Sequence, residues 1–423
     1  ELQKYAKDRP QEWAIVSRTL GIPRQNSRHA SAFVIADDDL HNIVPMMEVN
    51  GVRKVTQWEA KAVEGAGLIK YDFLCITNLI EIEGAIAAIN KKNGHEGLEP
   101  GWFYHNGEKT FIWDLPKSDE KVAEMIASGD TETLFQENTK SMYPFVTAIK
   151  PKSIIDHATI LALVRPGPLD YINESTGLSM AQEYVERRQG RGTYELPELV
   201  DLLPETYGVI VFQEQLTKVA RNLAGFSGER AEILRENMCK KKLKELMLMK
   251  PDFMEGAKQK VSEEVAEKIW NMMATFGQYG FSIIHAVGYA MITYATGFLK
   301  AHYPLEWWSS VLSNRDTKEI NEKLWKHVRH LVAPPDINLS GNEMTIDYAT
   351  GKLRSKLTMV KGLSTAGVEK IVSGRPYASI QDFARRSGIT PSMTRKLIAV
   401  GVMDSLFKSG ETLIDKMQAY EDE

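Results

Sequence analysis

Gly67-Leu68-Ile69-Lys70-Tyr71-Asp72-Phe73-Leu74 alternates as a β-strand does, with Ile69, Tyr71 and Phe73 on one face and Leu68, Lys70 and Asp72 on the other. A strand of this kind holds an ammonium and a carboxylate side by side on a rigid element. A helical pattern follows, from Asn78 to about Lys92. Upstream, Ala32-Phe33-Val34-Ile35-Ala36 has a β-branched centre and reads as a buried strand that ends at Asp37-Asp38-Asp39, a solvated turn. Lys54-Val55-Thr56-Gln57-Trp58 alternates as another strand. Residues 1–20 read as helix, with Trp13, Ile15, Val16 and Leu20 on an apolar face and Gly21-Ile22-Pro23 as the stop. The first third is therefore expected to be a small sheet with helices.

From about Ser118 to Asn314 the pattern turns to helix after helix. Apolar residues recur at helical spacing over 154–163, 180–188, 214–223, 228–237, 261–276 and 285–302. Breaks fall at Arg165-Pro166-Gly167-Pro168, at Gly190-Arg191-Gly192 and over 277–280. Trp307-Trp308, after Pro304, is expected in a core or junction. Beyond Pro334-Pro335-Asp336 come short strands over 352–359, then Lys361-Gly362-Leu363-Ser364-Thr365-Ala366-Gly367 leading into a helix, and a second helical pair reaching Val402. The expected fold class is α+β but mostly α.

A chain of 423 residues holds two to four domains at roughly 150 residues each. With 43% hydrophobic and 26% charged residues it is ordinary globular material rather than disordered. Formal charge is 52 − 56 = −4, which excludes a histone-like polycation. It does not exclude nucleic acid, because binding depends on where the cations sit. Cys75 and Cys239 cannot form a zinc cluster by themselves and point to a reducing compartment. No run of 18 apolar residues is present, so no membrane span is expected. The chain opens on Glu-Leu-Gln-Lys, without an initiating Met or a signal h-region, which suggests a processed piece or a fragment.

Several local phrases gain meaning from their order. Arg28-His29-Ala30, Thr56-Gln57 and the 67–74 strand come first. Leu134-Phe135-Gln136 and Leu163-Val164-Arg165-Pro166-Gly167-Pro168 follow. Next are Tyr207-Gly208-Val209-Ile210-Val211-Phe212-Gln213-Glu214-Gln215 and Leu234-Arg235 with Lys240-Lys241-Lys242. Tyr279-Gly280-Phe281, His285, Tyr289-Ala290 and Leu299-Lys300-Ala301-His302-Tyr303-Pro304 close the series. This order resembles the α subunit of bacterial DNA polymerase III, the C-family replicative polymerase, from about Arg24 to Phe407. The resemblance implies the end of the thumb at 1–24, the C-terminal part of the palm at 25–117, all-helical fingers at 118–330 and a tandem helix-hairpin-helix region at 331–423. It also implies a DNA-directed DNA polymerase, bacterial or phage-encoded and cytoplasmic, that adds dNMP from a dNTP to a primer 3′ end with Mg²⁺. Primer–template DNA and other replisome subunits would be its partners.

Under that resemblance Asp72 is the third metal-binding aspartate of the palm, as phosphoryl transfer by two Mg²⁺ ions needs hard oxygen ligands on a rigid strand. Lys70 would set positive charge beside the phosphates or the 3′ oxygen. Read without it, the two are a surface pair on an edge strand. Arg165, Arg235, Lys240, Lys241 and Lys242 would neutralise the triphosphate; the plain reading of 240–242 is a solvated charged run. His285 and Tyr289, at i and i+4, share a helix face that would bound the nascent base pair, or else make a core contact. Arg28, His29, Lys361, Gly362 and Gly367 would contact DNA, the last three through a helix-hairpin-helix turn, with Lys356, Arg385, Arg386, Arg395 and Lys396 as basic neighbours.

The chain departs from the family at three positions. Glu236 stands where a second Arg is usual, Cys239 where Gly is usual, and Ile283 where a Lys precedes the His by two residues. These put nucleotide affinity in doubt. The family's D-x-D pair, on an earlier palm strand, is not found, so a separate N-terminal part is expected to bring the other two aspartates. The alternative is a non-catalytic DNA-binding scaffold derived from such a polymerase.

Overall fold

The computed structural model describes residues 2–22, 27–73, 75–173, 175–277 and 279–421. Pro23, Arg24 and Leu74, invoked above as a helix stop, a boundary and a strand end, lie outside them. The chain divides into two units, Glu1–Ile76 and Thr77–Glu423.

In the first unit the single helix expected over 1–20 is two short ones, Leu2–Asp8 and Pro10–Val16, followed by a 3-10 turn at Ser17–Thr19. Pro10 explains the interruption. It lacks an N–H and suits a first helical turn better than an interior position. On the apolar face read from the sequence, Ile15, Val16 and Leu20 are exposed.

Four strands follow: β1 (Ala32–Ile35), β2 (Met46–Val49), β3 (Val52–Thr56) and β4 (Ile69–Asp72). β2 and β3 form a hairpin across Asn50-Gly51, whose φ values of 48° and 77° are the left-handed pair that a tight hairpin turn requires. β1 pairs antiparallel with β4, Ala32 opposite Asp72, Phe33 opposite Tyr71 and Val34 opposite Lys70. Val34, Met46, Val63 and Leu68 belong to the small core of this unit. Phe33, Ile35, Ile69, Tyr71 and Phe73 occupy the other face and are exposed, so β1 is not the fully buried strand expected.

The second unit is mostly helical. Helix Thr77–Lys92 packs on Pro304–Asn314. The two approach closely at Gly84, where a Cβ would lie 2.3 Å from Ser310 Oγ. A hairpin of β5 (Trp102–His105) and β6 (Glu108–Phe111) follows the first of these helices. Helix Ile154–Leu163 starts in a Ser153–Asp156 capping box, is buried from His157 onward and lies along Ile283–His302. It stops just before Arg165-Pro166, because a proline cannot continue the ladder and the residue before it avoids helical backbone. Trp307 is fully buried and its Nε1–H donates to Thr133 Oγ1 at 2.9 Å, as core packing predicts.

The strand expected over 352–359 is shorter, Lys352–Arg354. β7 (Val332–Ala333), β8 (Thr345–Asp347) and β9 (Lys352–Arg354) make a three-stranded sheet in the order β7-β9-β8. Helices Thr365–Ser373, Ile380–Arg386, Pro391–Ala399 and Leu413–Glu421 then surround a separate core that includes Ile337, Leu357, Val368, Phe383 and Leu397. The fold is thus mostly α with small sheets and a helix-hairpin-helix tail, as expected. Among the described residues no helix is long and apolar enough to cross a membrane.

Candidate functional site

In the first unit the alternation of β4 delivers Lys70 and Asp72 to one face. The Lys70 Nζ donates to Asp72 Oδ1 and Oδ2 at 2.8 and 2.7 Å. Ser31 N–H donates to His29 Nδ1 at 3.2 Å, and the His29 Nε2 stands 3.8 Å from Asp72 Oδ1. The hydrogen bond from Lys70 holds the Asp72 carboxyl below its ordinary value of 3.8; burial works the other way and the Lys70 and His29 charges add to the lowering. Arg28, His29, Lys54 and Lys70 line one cavity of about 530 Å³ with Trp58 on its wall. Lys54 and Trp58 are in the quoted strand, but nothing in a one-strand reading marks them as facing this cavity.

In the second unit the start of helix Ile283–His302 gathers four of the expected residues. Arg165 Nε donates to Ala162 O at 2.7 Å, Nη2 donates to Tyr279 O, and the guanidinium carbon lies 4.6 Å from the Phe281 ring centroid. Gly167 makes this possible, because a Cβ there would meet Tyr279 Cδ1 at 2.3 Å. Phe281 meets His285 edge-on at 5.2 Å, His285 meets Tyr289 edge-on at 4.3 Å, and Tyr289 stacks on Phe135 at 5.4 Å with 6° between the planes. The result is a continuous row, Arg165–Phe281–His285–Tyr289–Phe135. His285 is exposed and the three other rings are half-buried, so the row is a surface and not a core.

Residues 211–213 hold the start of this row. Gln213 N–H donates to Phe281 O at 3.0 Å and Phe281 N–H to Val211 O at 3.2 Å. Glu214 accepts from Ser282 Oγ at 3.1 Å and from Ile283 N–H at 3.0 Å. Arg235 Nη1 donates to Gln213 Oε1 at 2.9 Å, and its Nε donates to Glu232 Oε1 at 2.9 Å. Arg165, Arg235, His285 and Tyr289 are therefore one connected arrangement. Phe281, Phe135, Gln213 and Glu214 belong to it as well. Sequence reasoning quoted their phrases without assigning them a role, although the recurrence of rings and carboxamides beside the cations was a usable signal.

The basic run behaves differently. Lys240 Nζ and Lys242 Nζ both donate to Glu236 Oε1, at 2.9 and 3.4 Å, while Lys241 is exposed with a left-handed φ of 56°. Glu236, one of the departures from the family pattern, is thus a local counter-ion to the lysines. Burial pushes the Cys239 thiol up, against the nearby Arg235 guanidinium.

In the tail, Ser364 Oγ accepts from Gly367 N–H at 3.2 Å and caps helix Thr365–Ser373. Gly362 has φ 95°, and a Cβ on it would lie 3.7 Å from Lys396 Nζ. Lys361 and Lys396 are both exposed, and the Lys396 ammonium reaches the Gly362 turn.

Mg²⁺ takes several oxygen ligands. Among the described residues no three His, Cys, Asp or Glu side chains group closely enough to hold a metal ion. Asp72 offers one carboxylate, flanked by a lysine and a histidine, and that set does not by itself fit such a site.

The chain matches three family models: the bacterial DNA polymerase III alpha NTPase domain over residues 1–75, the bacterial DNA polymerase III alpha subunit finger domain over 89–261, and a helix-hairpin-helix motif over 330–413. It is similar to the DNA polymerase III subunit alpha of Thermus aquaticus, 31% identical over 414 residues, which are 94% of this chain and 31% of the relative. The Bacillus subtilis subunit is 31% identical over 419 residues, 96% and 35% of the two chains. The Pseudomonas aeruginosa subunit is 29% identical over 426 residues, 97% and 35%. The chain spans about a third of the length of these curated relatives.

Proposed function

Given a chain that belongs to the bacterial DNA polymerase III alpha subunit family, we propose that it is the palm-end, fingers and helix-hairpin-helix stretch of a replicative DNA polymerase. The boundaries of that reading are 1–24 for the end of the thumb, 25–117 for palm, 118–330 for fingers and 331–423 for the tail. The reaction is template-directed addition of a dNMP from a dNTP to a primer 3′ end.

The observation that carries the reading is the row from Arg165 to Phe135 with Arg235 tied into it through Gln213. A nucleoside triphosphate has an anionic end that cations attract and an apolar base and sugar that rings accept. Arg235 and Lys240 to Lys242 neutralise phosphate, Lys240 and Lys242 by exchanging Glu236 for the ligand. Arg165, with Nε and Nη2 on backbone carbonyls, acts chiefly by holding Tyr279 and Phe281. His285 and Tyr289 bound the base pair. Lys70 adds positive charge where phosphate or the 3′ oxygen would lie, and Arg28, His29, Lys361, Gly362 and Gly367 steer the DNA backbone.

Family chemistry uses Mg²⁺ as a Lewis acid. Asp72 is one carboxylate, so the remaining ligands come from residues outside this chain, in an N-terminal polymerase part. Other replisome subunits are further partners under the same reading.

Primer extension by this chain alone, and with an N-terminal polymerase part supplying the other aspartates, tests the proposal. Extension should need both parts and Mg²⁺, and Asp72→Ala should abolish it. Extension by the isolated chain, or extension untouched by Asp72→Ala, would overturn the assignment of Asp72. DNA binding with no extension in any combination would favour the non-catalytic scaffold.

A further inference from the structure

Phe135 ends the row of rings, yet it lies 154 positions before Tyr289 in the chain. We propose that Phe135 is a positioning residue, fixing the plane of the Tyr289 ring for contact with the sugar and base of an incoming deoxynucleotide; this rests on the nucleotide-binding reading above.

The loop that carries Phe135 is bonded to the helix that carries Tyr289. Phe135 N–H donates to Thr296 Oγ1 at 3.2 Å. Thr293 Oγ1, with one proton to give, faces both Phe135 O at 3.0 Å and Tyr289 O at 3.1 Å, so a single hydroxyl ties the two ring-bearing residues together. The chain then turns sharply at Gln136, whose φ of 58° is uncommon for a residue with a side chain. Glu137 enters the interior, where its Oε1 lies 2.8 Å from His157 Nδ1 on helix 154–163, both side chains essentially without exposure. The turn is therefore held by two helices that also carry or lead to Tyr289 and Arg165.

A ring present only to fill space would be buried, and Phe135 is half-buried. Phe135 stacks on the Tyr289 ring and His285 meets it edge-on, so two neighbouring rings restrict its swing. Tyr289 thereby meets a ligand as a preset surface and loses little side-chain freedom on binding.

The test is calorimetric titration of dATP into the full chain bound to primer–template DNA, for wild type, Phe135→Leu, Phe135→Tyr, Tyr289→Ala, Arg235→Ala and the double variant Phe135→Leu/Tyr289→Ala. Phe135→Leu should weaken dATP binding by roughly three- to tenfold, the value of an aromatic pair, and leave DNA affinity unchanged. Phe135→Tyr should bind as wild type. In the Tyr289→Ala background Phe135→Leu should add almost nothing, because no ring remains to be held. An equal loss in both backgrounds would overturn the proposal and make Phe135 merely structural. If Phe135→Leu does not fold, Thr293→Val/Thr296→Val, which unties the loop and keeps the ring, carries the same expectations. Loss in Tyr289→Ala and Arg235→Ala with none in Phe135→Leu would remove Phe135 alone. Wild-type affinity in both Tyr289→Ala and Arg235→Ala, or no dATP binding by wild type, would remove the nucleotide reading and this proposal with it.

Discussion

Both carboxylate oxygens of Asp72 face the Lys70 ammonium, at 2.8 and 2.7 Å, across a single step of strand alternation. The carboxylate is therefore kept ionised and aimed without any metal, and an incoming cation must share its oxygens with Lys70 or displace it.

Lys70→Met should raise the Asp72 carboxyl pKa toward its ordinary 3.8, since the Lys70 hydrogen bond is the largest cause of its lowering. A carboxyl depressed in the fold stabilises above its unfolded pKa and loses that contribution as pH falls through the folded value. The variant should accordingly be less stable than wild type at neutral pH and converge with it as pH falls through the Asp72 titration. Carboxyl carbon NMR titration of the two proteins reads the first statement, and urea unfolding at neutral and acid pH reads the second. An unchanged Asp72 titration would show that the pair does not persist in solution.

Gly288 lies one helical turn beyond His285 and is exposed, and a Cβ there meets nothing within 4 Å. Gly288→Met should therefore fold normally, with a melting temperature equal to or above wild type, because glycine costs a helix up to about 1 kcal/mol. The same side chain would stand beside His285, the exposed ring of the row, and should weaken dATP binding by about tenfold. Thermal melts and dATP titration separate the effects; undiminished affinity would mean that this face is not used.

Glu81 is completely buried, and its pKa is raised by burial against the opposing pull of Arg315, which donates to it. Arg315→Ala should leave an unpaired buried carboxylate and cost about 3–5 kcal/mol at neutral pH. A carboxyl raised in the fold stabilises fully below its unfolded pKa and loses that as pH rises through the folded value. The deficit should therefore be smaller at pH 5 than at pH 8, as read from urea unfolding at both. A pH-independent deficit would point to lost packing instead.

Lys361 and Lys396 are exposed cations at the Gly362 turn, so duplex affinity should depend on salt and not on sequence. Lys361→Glu should lower affinity alike on unrelated duplexes and flatten the plot of log K against log salt by about one unit. Fluorescence anisotropy at several salt concentrations measures this. An unaltered slope would leave Lys361 as a solvated charge.

Local alternation was enough to place Lys70 and Asp72 on one face, since the period of a strand is two and needs no tertiary information. Helical spacing likewise placed His285 with Tyr289. The periodicity around Ile15 and Leu20 read as an apolar face and the β-branched run at 32–36 as a buried strand, but sequence pattern says which residues share a face, not whether anything covers it. Arg165 was legible as a cation presented at a turn. Its bonds to Ala162 O and Tyr279 O were not, because the second joins positions 114 residues apart. The Phe135–Tyr289 stack was hidden for the same reason.

The bare face of the β1–β4 ribbon has a consequence for handling the molecule. Phe33, Ile35, Ile69, Tyr71 and Phe73 form an oily stripe, and among the described residues each of the two strands pairs only with the other, so both outer edges offer unused backbone groups. Exposed edges and apolar stripes are where colloidal association begins. Concentrated solutions of the isolated chain should scatter light and elute early from a sizing column, and Phe33→Lys/Tyr71→Thr should restore a single monomeric peak while leaving Lys70 and Asp72, on the opposite side of the ribbon, in place.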